Sequence, residues 1–261
     1  MAGRPFLTGR VALVTGGVRG IGRAIAVRLA AEGAAVAVNY RSSATDAAST
    51  VEEIDAGGGK AVALQADVAD YASARQLVDR TLEHLGGLHI LVNNAGIARD
   101  RLLMEMEPDD WLEVMRVNFG GTFNCTRAAA DVFALQGEGS IVNIASITAT
   151  RVRVGQSNYA ASKAAILAFT RSCAVELGPH GIRVNAVLPS YVATELVGGA
   201  DTDEARQLKR ISPLRRLTSA EDVANTVAYL VGPEAQGISG AELPVDGASS
   251  IPLGPPPRRP A

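Results

Sequence analysis

Short apolar runs alternate along this chain with segments of helical period, and that alternation restricts the possible folds more than any other feature. Val11–Val14 is apolar and ends in Thr15-Gly16-Gly17, after which Ile21, Ile25 and Leu29 recur every four residues until Gly33. The pattern reads as strand, glycine-rich turn and helix. Further strands are predicted at residues 35–39, 61–65, 90–93, 141–144, 183–187 and 243–245, and helices at 44–56, 72–85, 108–135 and 159–177. Gly120-Gly121 is expected to loosen the longer helical stretch. Strands separated by helices must run parallel, through right-handed crossovers that cover both faces of the sheet. The predicted fold is therefore α/β: a single-domain, doubly wound parallel sheet of about seven strands. It occupies residues 1–250, with a Pro-rich tail at 251–261.

Composition narrows the function classes. The chain has 261 residues, 47% of them hydrophobic, and a formal net charge of −2, so it shows no electrostatic footprint for nucleic acid. No apolar run is long enough to span a bilayer, and the N-terminus lacks the form of a signal peptide. Cys125 and Cys173 lie far apart and read as buried apolar side chains in a reducing, cytoplasmic setting. His84, His89 and His180 are scattered, so no metal ligand set is expected. With 22 Arg and only 3 Lys, each lysine is worth inspecting.

The first candidate site is the turn Thr15-Gly16-Gly17-Val18-Arg19-Gly20-Ile21-Gly22. Glycines there allow a backbone to approach a pyrophosphate, and the following helix offers unpaired N–H groups. The second predicted strand leads into Tyr40-Arg41-Ser42 with no carboxylate for a ribose hydroxyl. Arg41, flanked by Arg19, suits a 2′-phosphate, which favours NADPH over NADH; the alternative is two solvated surface arginines.

Tyr159 and Lys163 stand four apart on one helical face. At about 4 Å and an effective dielectric of about 20, an ammonium favours a phenolate by at most roughly 4 kcal/mol, about three pKa units. The spacing thus predicts a tyrosine with a lowered pKa that gives a proton to a carbonyl oxygen. Ser146 ends the fifth predicted strand, where ligands bind in such sheets, although it also suits a turn. Asn118, polar in an apolar helix, could bind a backbone group or a water.

TGGVRGIG, Asn93-Asn94-Ala95-Gly96, Asn118, Ser146 and Tyr159-Ala160-Ala161-Ser162-Lys163 together resemble the short-chain dehydrogenase/reductase family, from about Arg10 to Gly247. The likeness is to the branch that includes 3-oxoacyl-[acyl-carrier-protein] reductases. It implies a Rossmann-type fold and a catalytic set of Asn118, Ser146, Tyr159 and Lys163. Ser146 would hold the substrate carbonyl and Tyr159 would give the proton. Lys163 would bind the nicotinamide ribose, and Asn118 would hold a water for proton resupply. The cofactor set implied is Gly16, Arg19, Gly20, Ile21, Gly22, Tyr40, Arg41, Ser42, Asp67, Val68, Asn94, Ala95, Gly96, Tyr159, Lys163, Pro189, Val192 and Thr194. NADPH/NADP+ as cofactor, an acyl carrier protein as partner and a homotetramer follow as expectations. The alternatives are a dehydrogenase of a free small alcohol, sugar or cyclic ketone, and a catalytically silent NADPH-binding protein.

Several positions depart from the family pattern. Pro189-Ser190 stands where Pro-Gly is usual, which predicts a locally altered loop. Arg151 and Arg153 lie in the wall of the substrate site, where a phosphopantetheine, an acidic carrier or a substrate carboxylate could meet them, or they could be an exposed or interface pair. The helix positions expected to dock a carrier hold Asp131 and Val175, leaving Arg127, Arg171 or the Arg151/Arg153 pair as substitutes. The end of the chain, from Ser249 on, is expected near a subunit interface, where it could shape a neighbour's pocket.

Overall fold

Residues 5–192 and 202–251 are described in the computed structural model. The strands are β1 (Val11–Val14), β2 (Ala35–Tyr40), β3 (Lys60–Gln65), β4 (Ile90–Asn93), β5 (Gly139–Ile144), β6 (Ile182–Pro189) and β7 (Glu242–Val245). They form one sheet in the order β3-β2-β1-β4-β5-β6-β7. Every neighbouring pair is parallel.

Side chains of a strand alternate between the two faces of the sheet, and the strands are apolar on both. Ala12 and Val14, Val36 and Val38, and Ile90 and Val92 enter one core with α1 (Gly20–Ala31), α2 (Ala44–Ala56) and the helix Ala220–Val231. Leu13, Ala37 and Leu91 enter the other with α3 (Tyr71–Leu85) and α5 (Gly121–Gln136). α6 (Ser157–Leu177) packs beside α5 and supplies Cys173 to that second core. The two cysteines are free and buried, as expected. No described helix is long and apolar enough to cross a membrane, and the described residues hold no His/Cys/Asp/Glu group that could bind a metal.

The predicted long helix divides into α4 (Pro108–Val114), a π-helical segment Met115–Gly120, and α5. The irregularity thus falls one turn earlier than the glycine pair suggested. Gly121 serves close packing instead, because a Cβ there would lie 2.8 Å from Val68 Cγ2. At the π-helical segment the Thr122 hydroxyl donates to the Asn118 carbonyl at 2.8 Å, and side-chain bonds of this kind accompany departures from the regular ladder.

A buried polar strap ties the helices to the sheet beneath the strand ends. Asn93 Nδ2 donates to Thr126 Oγ1 at 2.9 Å and to Asn143 Oδ1 at 2.8 Å, and Asn143 Nδ2 donates to Thr170 Oγ1 at 2.9 Å. α5 and α6 are therefore held in fixed register against β4 and β5, which matters because both helices border the carboxyl ends of those strands.

Phe133 is fully buried in the α3/α5 core, so close to β5 that a Cβ at Gly139 would meet its ring at 2.6 Å. Phe133→Ala should lower the unfolding free energy by about 3–5 kcal/mol. Urea denaturation should show an earlier midpoint at unchanged slope, whereas an unchanged midpoint would mean that the ring is not packed as described.

Candidate active site

The order of the sheet reverses between β1 and β4, and a crevice opens at the carboxyl ends of these two strands. It forms one end of a cavity of about 670 Å³. The glycine turn is folded against the end of β4 by reciprocal hydrogen bonds. Thr15 Oγ1 accepts from the backbone N–H of Asn94 at 2.9 Å and of Ala95 at 3.1 Å. Asn94 Nδ2 in turn donates to the carbonyls of Thr15 and Gly16, both at 3.0 Å. Asn39, buried at the end of β2, accepts from the Gly16 N–H at 3.3 Å and donates to the Ala66 carbonyl at 3.1 Å.

The turn needs its glycines for two reasons. Gly16 and Gly20 have φ of 59° and 52°, in the left-handed region. A Cβ at Gly22 would lie 2.2 Å from the Gly16 carbonyl oxygen and 2.5 Å from Asn94 Nδ2. This packed, side-chain-free cradle at the N-terminus of a 12-residue helix fits a dinucleotide pyrophosphate.

The expected cofactor set is brought together. Gly16, Arg19, Gly20, Ile21, Gly22, Tyr40, Arg41, Ser42, Asp67, Val68, Asn94, Ala95 and Gly96 line the cavity, as do Pro189 and Val192. Thr194 lies outside the described residues. Arg19 and Arg41 are exposed, and their guanidinium groups have no partner among the described residues, as a site for a 2′-phosphate requires. Gln65 Nε2 donates to the Arg41 carbonyl at 2.9 Å and holds that backbone in place. Asp67 caps its own turn, accepting from the Ala69 N–H at 3.0 Å.

Ser146, Tyr159 and Lys163 line the same cavity, between the glycine cradle and an outer part bounded by Arg151, Val152, Tyr191 and Leu208. Ser146 Oγ accepts from the Thr148 N–H and donates to Thr148 Oγ1, both at 3.1 Å. Lys163 is 4% exposed, and its Nζ donates to the Ile144 carbonyl at 2.8 Å, at the end of β5. The ammonium stands 5.6 Å from the centre of the Tyr159 ring.

This arrangement corrects the expected pKa pairing. Burial pushes the Tyr159 phenol above its ordinary value, while a hydrogen bond with Ser146 opposes the rise. Burial also lowers Lys163, to about 8. Desolvation outweighs ion-pair stabilisation here, since the lysine is bonded to a backbone carbonyl. At neutral pH the phenol is therefore protonated and the lysine is largely an ammonium.

Asn118 does not line the cavity but stands behind its wall. Its Oδ1 accepts from the Ile97 N–H at 2.8 Å, and its Nδ2 donates to the Ile97 carbonyl and to Ser162 Oγ, both at 3.0 Å. Protein groups thus engage both ends of the amide, which fits the expectation that Asn118 binds a backbone group. Ser162 Oγ passes the link on, donating to the Tyr159 carbonyl at 2.7 Å.

Asn39 and Asn158 are positioning residues outside the motifs, while Thr15 and Ser162 lie inside them with no role assigned from sequence. Asn158 Nδ2 donates to the Arg99 carbonyl at 3.0 Å, and its Oδ1 accepts from the Tyr159 N–H at 2.7 Å. A polar residue ending an apolar strand, as Asn39 does, is the signal that could have found one of them.

Pro189-Ser190 does not distort the loop in the expected way. Ser190 is absent from the residues with positive φ, and its hydroxyl pairs with Thr218 Oγ1 at 2.7 Å. Ser249, where the segment expected near a subunit interface begins, lines the cavity of its own chain. The remaining tail, 252–261, lies outside the described residues.

A family model described as Enoyl-(Acyl carrier protein) reductase matches residues 16–249. The chain is 43% identical to a 3-oxoacyl-[acyl-carrier-protein] reductase of Synechocystis, over 92% of this chain and 97% of that relative. It is 42% identical to the 3-oxoacyl-[acyl-carrier-protein] reductase FabG of Staphylococcus aureus, over 90% and 96% respectively. Among solved structures, a short-chain dehydrogenase from Burkholderia cenocepacia in complex with NADP is 44% identical and aligns with a TM-score of 0.89, over 94% of this chain and all of that one.

The glycine cradle makes a direct prediction. Gly22→Ala must open the turn, so the dissociation constant for NADPH should rise by at least about tenfold, or ~1.4 kcal/mol. Fluorescence titration would measure it, with an unchanged far-ultraviolet circular dichroism spectrum as the control for folding. Unaltered affinity would show that the cofactor does not rest on this turn.

Proposed function

The chain belongs to the short-chain dehydrogenase/reductase family, and from that membership we propose that it reduces 3-oxoacyl thioesters to 3-hydroxyacyl thioesters with NADPH. The substrate is carried on an acyl carrier protein, in fatty-acid or polyketide synthesis. The observation that carries this reading is the meeting, in one cavity, of two hydroxyls and a buried ammonium beside a dinucleotide cradle. High identity to two 3-oxoacyl-[acyl-carrier-protein] reductases over nine-tenths of the chain supports the choice of substrate.

The nicotinamide, when bound, supplies the hydride that reaches the carbonyl carbon. Tyr159 gives its phenolic proton to the carbonyl oxygen, and its raised pKa keeps that proton available at neutral pH. Ser146 holds the same oxygen by a hydrogen bond as negative charge develops on it. Lys163 would hold the cofactor's ribose with its ammonium, and its bond to the Ile144 carbonyl fixes the side chain. Asn118 positions this group, holding the wall at Ile97 and, through Ser162, the first turn of α6. Arg41 and Arg19 take the 2′-phosphate.

The proposal extends to a homotetramer acting in the cytoplasm. Leu112 on α4 and Phe123 on α5, either side of Asn118, are 60% and 46% exposed and offer apolar surface for a subunit contact. The two free thiols suit a reducing compartment.

The test is NADPH and NADH consumption with acetoacetyl carrier protein, its short thioester mimic, a crotonyl thioester and a panel of free ketones. NADPH should be preferred, the carrier-bound 3-oxo thioester should be the best substrate and the crotonyl thioester should be inert. Better turnover of free ketones would overturn the substrate, and preference for NADH would overturn the role of Arg41. Tyr159→Phe should cost about 10²–10⁴-fold in turnover and leave NADPH affinity nearly unchanged; retained turnover would exclude the phenol as proton donor.

The pH dependence follows from Lys163. A lysine whose pKa is lowered to about 8 is charged below that pH and neutral above it. Reductive kcat/KM, which reports the free enzyme, should therefore fall as pH rises through about 8. Lys163→Met should be slow at every pH and lack this limb. A flat wild-type profile between pH 7 and 9 would show that the charge of the lysine is not used.

A further inference from the structure

We propose that the segment Arg151-Val152-Arg153-Val154, at the mouth of the cavity, is a subsite for the phosphodiester of a phosphopantetheine arm, with Arg151 supplying the charge; this rests on the thioester reading above. The segment connects the two hydroxyls of the site, following Ser146 and preceding Tyr159, and Arg151, Val152 and Arg153 line the same cavity. A substrate whose carbonyl lies between those hydroxyls therefore leaves along this segment.

The loop is braced from both sides. The Arg151 N–H donates to the Ile147 carbonyl at 2.7 Å, and the Arg101 N–H donates to the Gly155 carbonyl at 2.8 Å. Gln156 Nε2 donates to Asp100 at 2.8 Å, and Gly155 takes the positive φ of 82° that turns the chain into α6. Val152 and Val154 are nonetheless 75% and 89% exposed. Arg151 and Val152 both line the cavity, so the braced loop offers a cationic and a bare apolar side chain to one occupant. The phosphopantetheine arm matches it chemically, since its phosphodiester lies next to a gem-dimethyl carbon. Arg151 would meet the phosphate by a charge-assisted bond and Val152 the methyl groups.

Apart from Arg19 and Arg41 at the cofactor end, other arginines near this segment are already committed. Arg99 pairs with Glu113 at 3.0 Å, Arg101 with Asp110 at 2.8 Å, and Arg216 with Asp222. The helix-borne substitutes are committed too, Arg127 to Asp131 at 2.8 Å and Arg171 to Glu242. The guanidinium of Arg151 has no partner among the described residues, and no carboxylate of the described residues lines this outer half of the cavity.

The experiment measures kcat and KM for acetoacetyl groups on a carrier protein, on coenzyme A and on N-acetylcysteamine, which lacks the phosphate. It uses the wild-type protein and Arg151→Gln, with Arg151→Lys as the conservative variant. Arg151→Gln should raise KM about tenfold for both phosphate-bearing thioesters at little cost in kcat and leave the truncated one unchanged, with Arg151→Lys recovering part of the loss. Equal loss on all three thioesters would overturn the subsite in favour of a structural role. Loss on the carrier alone would overturn it in favour of contact with the carrier's protein surface. A wild type that turns over free ketones and none of the three thioesters would instead overturn the function on which the proposal stands.

Discussion

The latch between the ends of β1 and β4 is the interaction on which the rest of the site depends. Two parallel strands that part at their carboxyl ends leave a crevice, but only if the segments beyond them are kept from collapsing into it. Thr15-Gly16 and Asn94-Ala95 do this through four hydrogen bonds across the gap, two accepted by the Thr15 hydroxyl and two given by the Asn94 amide. The bonds involve backbone groups that the sheet leaves unpaired, so the latch also satisfies polar atoms that would be costly to bury. Gly22 can then lie against Gly16 with no room for a methyl group, and the first turn of α1 is brought within reach of a phosphate. One constraint thereby sets the depth of the cradle and the width of the crevice.

The chemical end of the cavity is built from the other side by α6 and the π-helical segment. A regular helix through residues 108–136 would aim Asn118 elsewhere. Widening at Met115–Gly120 turns its amide onto Ile97 and Ser162, and so couples the wall after β4 to the helix that carries Tyr159 and Lys163. The Asn93–Asn143–Thr170 strap holds the same two regions lower in the sheet. Two independent polar ties thus fix one helix relative to one strand end. That precision is what transfer of a proton between oxygens requires, because misplacement by about 1 Å costs on the order of 10²-fold in rate.

Most of the architecture was legible because it rests on periodicity. All seven strands and the principal crossover helices lie where apolar spacing placed them, with bounds shifted by one or two residues where edge polar positions such as Lys60 and Gly139 still pair. The motif residues were legible for a related reason: Gly16, Gly20 and Gly22 are demanded by local geometry, and Tyr159 and Lys163 by the pitch of one helix. The positioning roles have remote partners: Asn39 acts on Gly16 across 23 positions, Thr15 on Asn94 across 79, and Asn118 on Ile97 across 21, so local pattern marks such a residue as unusual without naming what it holds. The π-helical turn was misplaced because Gly120-Gly121 resembles a flexible pair, whereas Gly121 answers to Val68.

The direction of the pKa shifts was the least legible feature, for a physical reason. Sequence spacing gives the separation of two charges along a helix, and Coulomb attraction alone then makes the lysine an acidifier of the phenol. Burial acts on each group separately and penalises whichever form is charged, raising the phenol and lowering the ammonium together. The pair is driven toward two neutral groups, the opposite of an ion pair. Lys163 keeps its charge at neutral pH because its shift stops near 8, and its bond to the Ile144 carbonyl ties the charge to the sheet. A site tuned in this way holds a protonated phenol next to a cation that is costly to bury. That cost is relieved when an oxygen-rich ligand accepts from the ammonium, so the same desolvation that lowers the lysine's pKa strengthens its preference for such a ligand.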